Sequence, residues 1–366
     1  MINVKFSNRE SDEFTKDLKA GVNQYFETKN ISRDGGKIMI FKSIFMLLLY
    51  LIPLGFLVSG QVTQVIPMFI LYLLSGLGMS GIGMSIMHDA LHGSFSKNRV
   101  LNRWMGYSIN LIGASAAVWK VQHNVLHHTF TNVHELDDDL NTSSIIRLSP
   151  DRDHHNIHKF QHIYAWFLYG FMTLIWLTTR DYVRGAQYKQ KGFFNKKGEF
   201  GTTLVKATLF KLLYFGVTLV LPMIMIPLPW WIILLAFFSM LFATGVILSV
   251  VFQTAHVMPD NDFPKPDKDG IIGGSWALHQ LATTSNYAPK SRIFSWFIGG
   301  LNYQIEHHLM PNISHIHYKE LSKVVRATAE KHGFPYYSRP TFVAALWAHM
   351  KMLKSLGAKS LEVSRI

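Results

Sequence analysis

The chain of 366 residues has no cysteine. That absence excludes a disulfide framework, thiolate zinc sites, cysteine-ligated iron–sulfur clusters and cysteine nucleophiles. Charge is also scarce. Asp, Glu, Lys and Arg make up 16% of the residues, where about 25% is usual in a soluble domain. Hydrophobic residues reach 49% and the mean hydropathy is +0.15, which rules out a disordered chain or a collagen-like fibre. There is no recognised nucleic-acid module, internal repeat or low-complexity tract. Residues 1–37 contain no short apolar core followed by a cleavage site, so no signal peptide is expected.

The charges that do exist are unevenly placed. Residues 43–87 and 212–259 contain no Asp, Glu, Lys or Arg at all. A helix needs about 20 apolar residues to cross the hydrocarbon core, so each run accommodates two crossings and a turn. Ser59-Gly60-Gln61 breaks the first run. Pro227-Leu228-Pro229 breaks the second, with Trp230 and Trp231 as interfacial anchors. The expected spans are 43–59, 62–85, 212–227 and 229–250, with the first and third starting as early as Ile38 and Leu204. A further uncharged stretch, 160–179, is also long enough to cross. A fifth crossing, however, would separate the histidine clusters described below, so it is expected to lie in the interface.

The expected fold is an all-α membrane protein, with four transmembrane helices arranged as two hairpins and a cytoplasmic helical cap holding a histidine-rich site. One domain covers 1–366: an N-terminal segment (1–37), the first hairpin (38–87), cap (88–203), the second hairpin (204–252) and the rest of the cap (253–366). The charged side carries a basic excess that includes Lys37, Lys42, Arg180, Arg184, Lys196, Lys197, Lys206 and Lys211. By the positive-inside rule that side is cytoplasmic. The net charge of +13 then reads as attraction to an anionic lipid surface, acidic substrate or acidic protein rather than to nucleic acid.

Eighteen histidines are many for this length, and three clusters stand out. His88 and His92 lie where the second span ends, on one face of a continuing helix. His123 and His127 share a face in the same way. His128 points about 100° from its neighbour and is placed to reach a second metal. His307 and His308 follow Gln304-Ile305-Glu306, and His256 lies just past the fourth span. One HxxxH pair is usually structural. Several clusters on one side of a membrane, without cysteine, suit one or two first-row metals in nitrogen coordination. His154, His155 and His158 read as a solvated loop. Asp137, Asp138 and Asp139 read as a solvated or supporting acidic run, since no phosphate-binding glycine loop accompanies them. His315 and His317 are open between support of the site and packing, and His279, His332 and His349 read as structural.

His88-x-x-x-His92, His123-x-x-x-His127-His128 and Gln304-x-x-His307-His308 resemble the three histidine boxes of membrane fatty acid desaturases. The stretch from Gly299 to Pro311 is similar to the third box of the front-end subgroup, which has glutamine at the position of Gln304. His127-His128-Thr129-Phe130-Thr131-Asn132 followed by Asp137-Asp138-Asp139 is also similar to the family. The resemblance runs from the first span through Tyr318. It implies a non-haem di-iron centre on the cytoplasmic face, ligated by His88, His92, His123, His127, His128, Gln304, His307 and His308, with His256 as a further ligand. Where acyl-CoA desaturases have a water-holding asparagine, this chain has Phe252, and Gln253 is the nearest amide. Asp89 and Glu306 are expected to orient imidazoles through the second ring nitrogen.

The activity implied is O2-dependent insertion of a cis double bond between an existing one and the carboxyl end of an acyl chain. An unactivated methylene has no useful pKa, so acid–base catalysis cannot remove its hydrogen and a redox metal is needed. The acyl group is expected on CoA, on a carrier protein or on a glycerolipid. No His-Pro-Gly-Gly motif of a fused cytochrome b5 domain is present, so electrons are expected from a separate ferredoxin or cytochrome b5. A bacterial inner membrane is the expected location. The nearest competitors are a di-iron lipid hydroxylase and a sphingolipid desaturase. A metal transporter needs ionisable ligands inside the spans, and the expected spans 43–59, 62–85, 212–227 and 229–250 contain no Asp, Glu, Lys, Arg or His. A zinc hydrolase needs a general-base Glu where Asn124 stands.

Overall fold

The computed structural model describes residues 4–7, 13–141 and 144–358. Residues 1–3 and 8–12 of the N-terminal segment, and Thr142, Ser143 and 359–366 of the cap, lie outside the described residues. The chain divides into two compact units. One comprises 1–34, 122–166 and 250–366, and the other comprises 35–121 and 167–249.

Among the described residues, four helices are long and apolar enough to cross a membrane: Gly36–Val58, Val65–His92, Glu199–Met225 and Trp230–His256. The first and third begin earlier than residues 43 and 212, as the apolar flanks allowed. The second and fourth run on through His88, His92 and His256. Phe41, Ile66, Leu212, Ile224 and Trp230 are each more than half exposed, which suits a lipid solvent. In the 35–121/167–249 unit the spans are tied by polar contacts. The Ser75 hydroxyl donates to the Tyr50 carbonyl at 3.1 Å, Tyr72 to Thr218 at 2.9 Å, and Thr244 to Gly76 at 3.1 Å. A Cβ at Gly78 would stand 2.4 Å from the Tyr50 nitrogen, so glycine alone permits that crossing.

The 160–179 stretch does not form one helix of spanning length. It breaks at Gly170 between Gln161–Tyr169 and Met172–Ile175. Lys42 and Lys211 depart from the reading of the sequence. Both lie within spanning helices and are buried, so they are not flanking surface charges. The Lys211 ammonium is instead satisfied internally by Asp181 at 2.8 Å and by the carbonyls of Gly113 and Trp176, each at 2.9 Å.

In the other unit, Glu13–Lys29 presents Phe14, Leu18, Val22 and Phe26 at intervals of four residues to Leu321, Val325 and Ala329 of Tyr318–Lys331. Ile305 and Leu309 of the short helix Gln304–Leu309 join that core. Two short parallel strand pairs, Lys5–Phe6 with Ile271–Ile272 and Asn286–Tyr287 with Ser338–Arg339, tie distant segments together.

Candidate metal centre

His123 and His127 lie on Lys120–His127, which is wound as a π-helix rather than an α-helix. The His128 amide donates to the His123 carbonyl at 3.0 Å, five residues back. On an α-helix, residues five apart are about 140° apart. With i→i+5 bonds they are roughly one turn apart. His128 therefore does not swing away as α-helical spacing implied: its Nε2 stands 3.3 Å from His123 Nε2 and 3.0 Å from His307 Nε2.

Asn132 closes this segment. Its φ of 61° is left-handed, a conformation asparagine tolerates. The Asn132 amide N–H donates to Asp137, and its side-chain nitrogen donates to the carbonyls of His256, Asp262 and Thr283. The end of the fourth span is thereby fixed against the second histidine cluster.

His127, His256 and His308 bring one ring nitrogen each to within 4.8 Å of one another, as do His128, His307 and His308. The amide nitrogen of Gln304 lies 2.9 Å from His256 Nε2. Donors bound about 2.1 Å from one ion stand about 3.0–3.4 Å apart at octahedral or tetrahedral angles. The nitrogen separations around His128 fall in that range. His127 Nδ1–H donates to Asp137, with both carboxylate oxygens at 3.0 Å. His308 Nδ1–H donates to Gln280 Oε1 at 2.8 Å. With those protons placed, the Nε2 lone pairs of His127 and His308 are buried and have no hydrogen-bond partner. Two unpartnered imidazole lone pairs in a dry site are costly unless a cation takes them. This donor set fits a metal.

Burial disfavours the charged form of His127, but Asp137, aided by Asp139, outweighs it and raises the pKa. Burial and the neighbouring imidazoles hold the pKa of His308 well down, which keeps it neutral. His123 Nδ1 lies 3.6 Å from Asp139. His307 Nδ1 lies 3.3 Å from the Tyr318 hydroxyl. Phe252 packs its ring 6.0, 5.1 and 5.0 Å from those of His123, His127 and His256. An apolar wall thus stands where an amide was looked for. Gln253 is buried close by in sequence, and its Oε1 has no hydrogen-bond partner.

His88 and His92 belong to the other unit and lie together at the end of Val65–His92. Their ring centroids are 4.8 Å apart, and Trp119 meets them edge-on at 5.8 and 6.0 Å. Gly93, at φ 80°, stops the helix directly after His92. His88 Nδ1 is 3.8 Å from Asp89.

Several expectations change. Of the two readings of the acidic run, the supporting one stands: Asp137 and Asp138 are buried, and Asp137 holds His127. Glu306 orients no imidazole: its carboxylate accepts from Asn286 at 2.7 Å and from the Tyr336 hydroxyl at 2.9 Å. Burial raises its pKa to about 7 against those two bonds. His158 is buried too, with Nε2–H donating to the Ser144 carbonyl at 2.8 Å and Nδ1 accepting from the His155 amide. It is structural, but not solvated. His317 packs against Phe26 at 5.0 Å. Gln280 was not foreseen, since it belongs to no histidine motif.

A profile described as fatty acid desaturase matches residues 64–340. The sn-1 linoleoyl-lipid 6-desaturase of Arthrospira platensis is 34% identical over 94% of this chain and 92% of its own length. The enzyme of the same description from Synechocystis is 30% identical over 98% of both. An acyl-lipid (8-3)-desaturase of Physcomitrium patens is 35% identical over 97% of this chain and 74% of its own.

Proposed function

Since the chain belongs to the fatty acid desaturase family, we propose that it is a front-end acyl desaturase, placing a cis double bond between an existing one and the carboxyl end. It is a membrane oxidoreductase. The observation that carries the reading is the pair of buried, unpartnered Nε2 atoms of His127 and His308, in a group with His256 whose ring nitrogens lie within 4.8 Å of one another. We assign His88, His92, His123, His127, His128, His256, Gln304, His307 and His308 as ligands. Two iron ions held there, with O2, supply the oxidising power that unactivated methylenes require.

The balance is fixed by the chemistry. Two hydrogens leave adjacent methylenes with two electrons, two further electrons and two protons come from outside, and O2 leaves as two waters. The protein residues prepare this reaction without acting as nucleophile or base. Asp137 and Gln280 hold the Nδ1 protons of His127 and His308, and Phe252 keeps water from one side of the site. The external electrons come from a separate acidic carrier, a ferredoxin or cytochrome b5. The site faces the cytoplasm of a bacterial inner membrane. The names of the cyanobacterial relatives favour a linoleoyl group on a glycerolipid, with the new bond at position 6.

The test is fatty acid profiling by gas chromatography–mass spectrometry of a bacterial host without polyunsaturated fatty acids. The host expresses this chain together with a ferredoxin and is fed a C18 acid unsaturated at positions 9 and 12. A triene with its third bond at position 6, found first in intact glycerolipid, is expected. A hydroxylated product, or a bond nearer the methyl end, would overturn the front-end reading.

A further inference from the structure

Within the unit that carries most of the histidines, two helices share an outer face. Arg292–Phe297 and Phe342–Leu356 are joined by Phe294 and Phe342, whose rings lie 4.7 Å apart, and by Tyr287 at 5.6 Å from Phe342. The longer helix buries Ala345, His349, Met352, Leu353 and Leu356. On its opposite side Val343 is 74% exposed and Trp347 57% exposed, four residues apart. Lys351, four residues further on and also exposed, sets its ammonium 5.7 Å from the Trp347 ring centroid. Ile293, beside the Phe294–Phe342 contact, is 85% exposed. Large apolar side chains standing in a row differ from the scattered ones that any surface carries.

Along the two segments that carry them the charge has one sign, and the Asp260 carboxylate that reaches the second segment is paired with Arg339. Residues 287–305 and 331–358 contain no Asp or Glu, while Lys290, Arg292, Lys351 and Lys354 are all exposed. Exposed apolar side chains with a tryptophan and flanking lysines and arginine are the pattern of a helix lying in a lipid interface. A protein partner would have to be both acidic and apolar at this face. The bilayer that the spanning helices require supplies both features. We propose that this face docks on the anionic surface of the bilayer, with Ile293, Val343 and Trp347 entering the boundary between headgroups and acyl chains. Lys290, Arg292, Lys351 and Lys354 meet lipid phosphates. The proposal does not depend on the reaction catalysed.

The lack of native cysteine makes the test direct. Ile293→Cys, Val343→Cys and Trp347→Cys in the full chain each carry one nitroxide, in nanodiscs of mixed phosphatidylcholine and phosphatidylglycerol. Lys323→Cys, on the exposed side of Tyr318–Lys331, is the reference. Electron paramagnetic resonance then compares collision with O2 and with a water-soluble nickel chelate. At the three test positions the ratio should shift several-fold towards O2 relative to Lys323→Cys, and less so in discs of phosphatidylcholine alone. Ratios like that of the reference would overturn the proposal. So would labels shielded from both reagents, which would mean a protein partner or a second copy of the chain. An unchanged shift in neutral discs would overturn the role of the basic rim.

Discussion

His127 and His308 are oriented in the same way through different acceptors. A carboxylate takes the Nδ1 proton of His127, and a neutral amide takes that of His308. Gln280 is fully buried, and its oxygen also lies 2.8 Å from the Thr131 hydroxyl, which reaches back to the His127 carbonyl. Orienting acceptors of this kind are worth about 10–100-fold in metal affinity. Gln280→Leu should therefore lose iron to a chelator on that scale, whereas Gln280→Glu, which keeps an acceptor oxygen, should hold it; iron content and release rate are the measurements. The histidines proposed as ligands are legible in the sequence because boxes are local spacings. Gln280 is not, since nothing near it in the chain marks it and only tertiary packing brings it to His308. His349 makes a second prediction. Burial lowers its pKa from 6.5 to about 4, against the pull of the Val257 carbonyl 2.9 Å away. The folded chain keeps it neutral while the unfolded chain protonates it, so this stability is complete above about pH 6.5 and drains away towards pH 4. The melting temperature of His349→Gln should lie below that of the parent at pH 7.5, and the gap should narrow at pH 5. Metal loss acts on both proteins and leaves that difference intact.

At the scale of elements, charge-free runs located all four spans, because lipid tolerates few charges and the exclusion leaves a visible blank. Two features escaped that logic. The π-helical winding of Lys120–His127 depends on hydrogen bonding that no residue pattern announces, yet it decides where His128 points. Lys211 reads as a boundary charge in the sequence because Asp181, thirty positions earlier, gives no sign there of being its partner. That pair joins the third span to the segment after 160–179, and the Ser115 amide donates to Asp181 at 3.1 Å. Removing one member of a buried pair strands the other and costs about 3–5 kcal/mol, whereas replacing both is often near neutral. Lys211→Met should therefore reduce the folded yield and melting temperature sharply. The double variant Lys211→Met/Asp181→Asn should recover most of that loss. Equal damage in the single and double variants would mean that the carbonyl contacts of Lys211 with Gly113 and Trp176, rather than the ion pair, secure the segment.

For the whole molecule, orientation follows from where charge is missing. The turns after Val58 and Met225 contain no Lys, Arg, Asp or Glu; the charges lie in the segments before, between and after the two hairpins or, as with Lys37, Lys42, Asp89, Glu199, Lys206 and Lys211, in the halves of the spanning helices away from those turns. Translocating lysines and arginines is the costly step that the positive-inside rule reflects. Both bare turns should therefore lie outside and all the charged segments inside. The absence of native cysteine again allows a clean measurement. Gln61→Cys and Leu228→Cys should react with a membrane-impermeant maleimide in cells whose outer membrane alone is opened. Lys196→Cys and Lys268→Cys should react only after the inner membrane is permeabilised. Opposite labelling of Gln61→Cys and Leu228→Cys would require an odd number of crossings between them and would restore 160–179 as a span. It would also place His88 and His256, at the ends of the second and fourth spans, on opposite faces of the membrane. The assignment of one di-iron centre would then fail on topology alone, whatever the fatty acid profile showed.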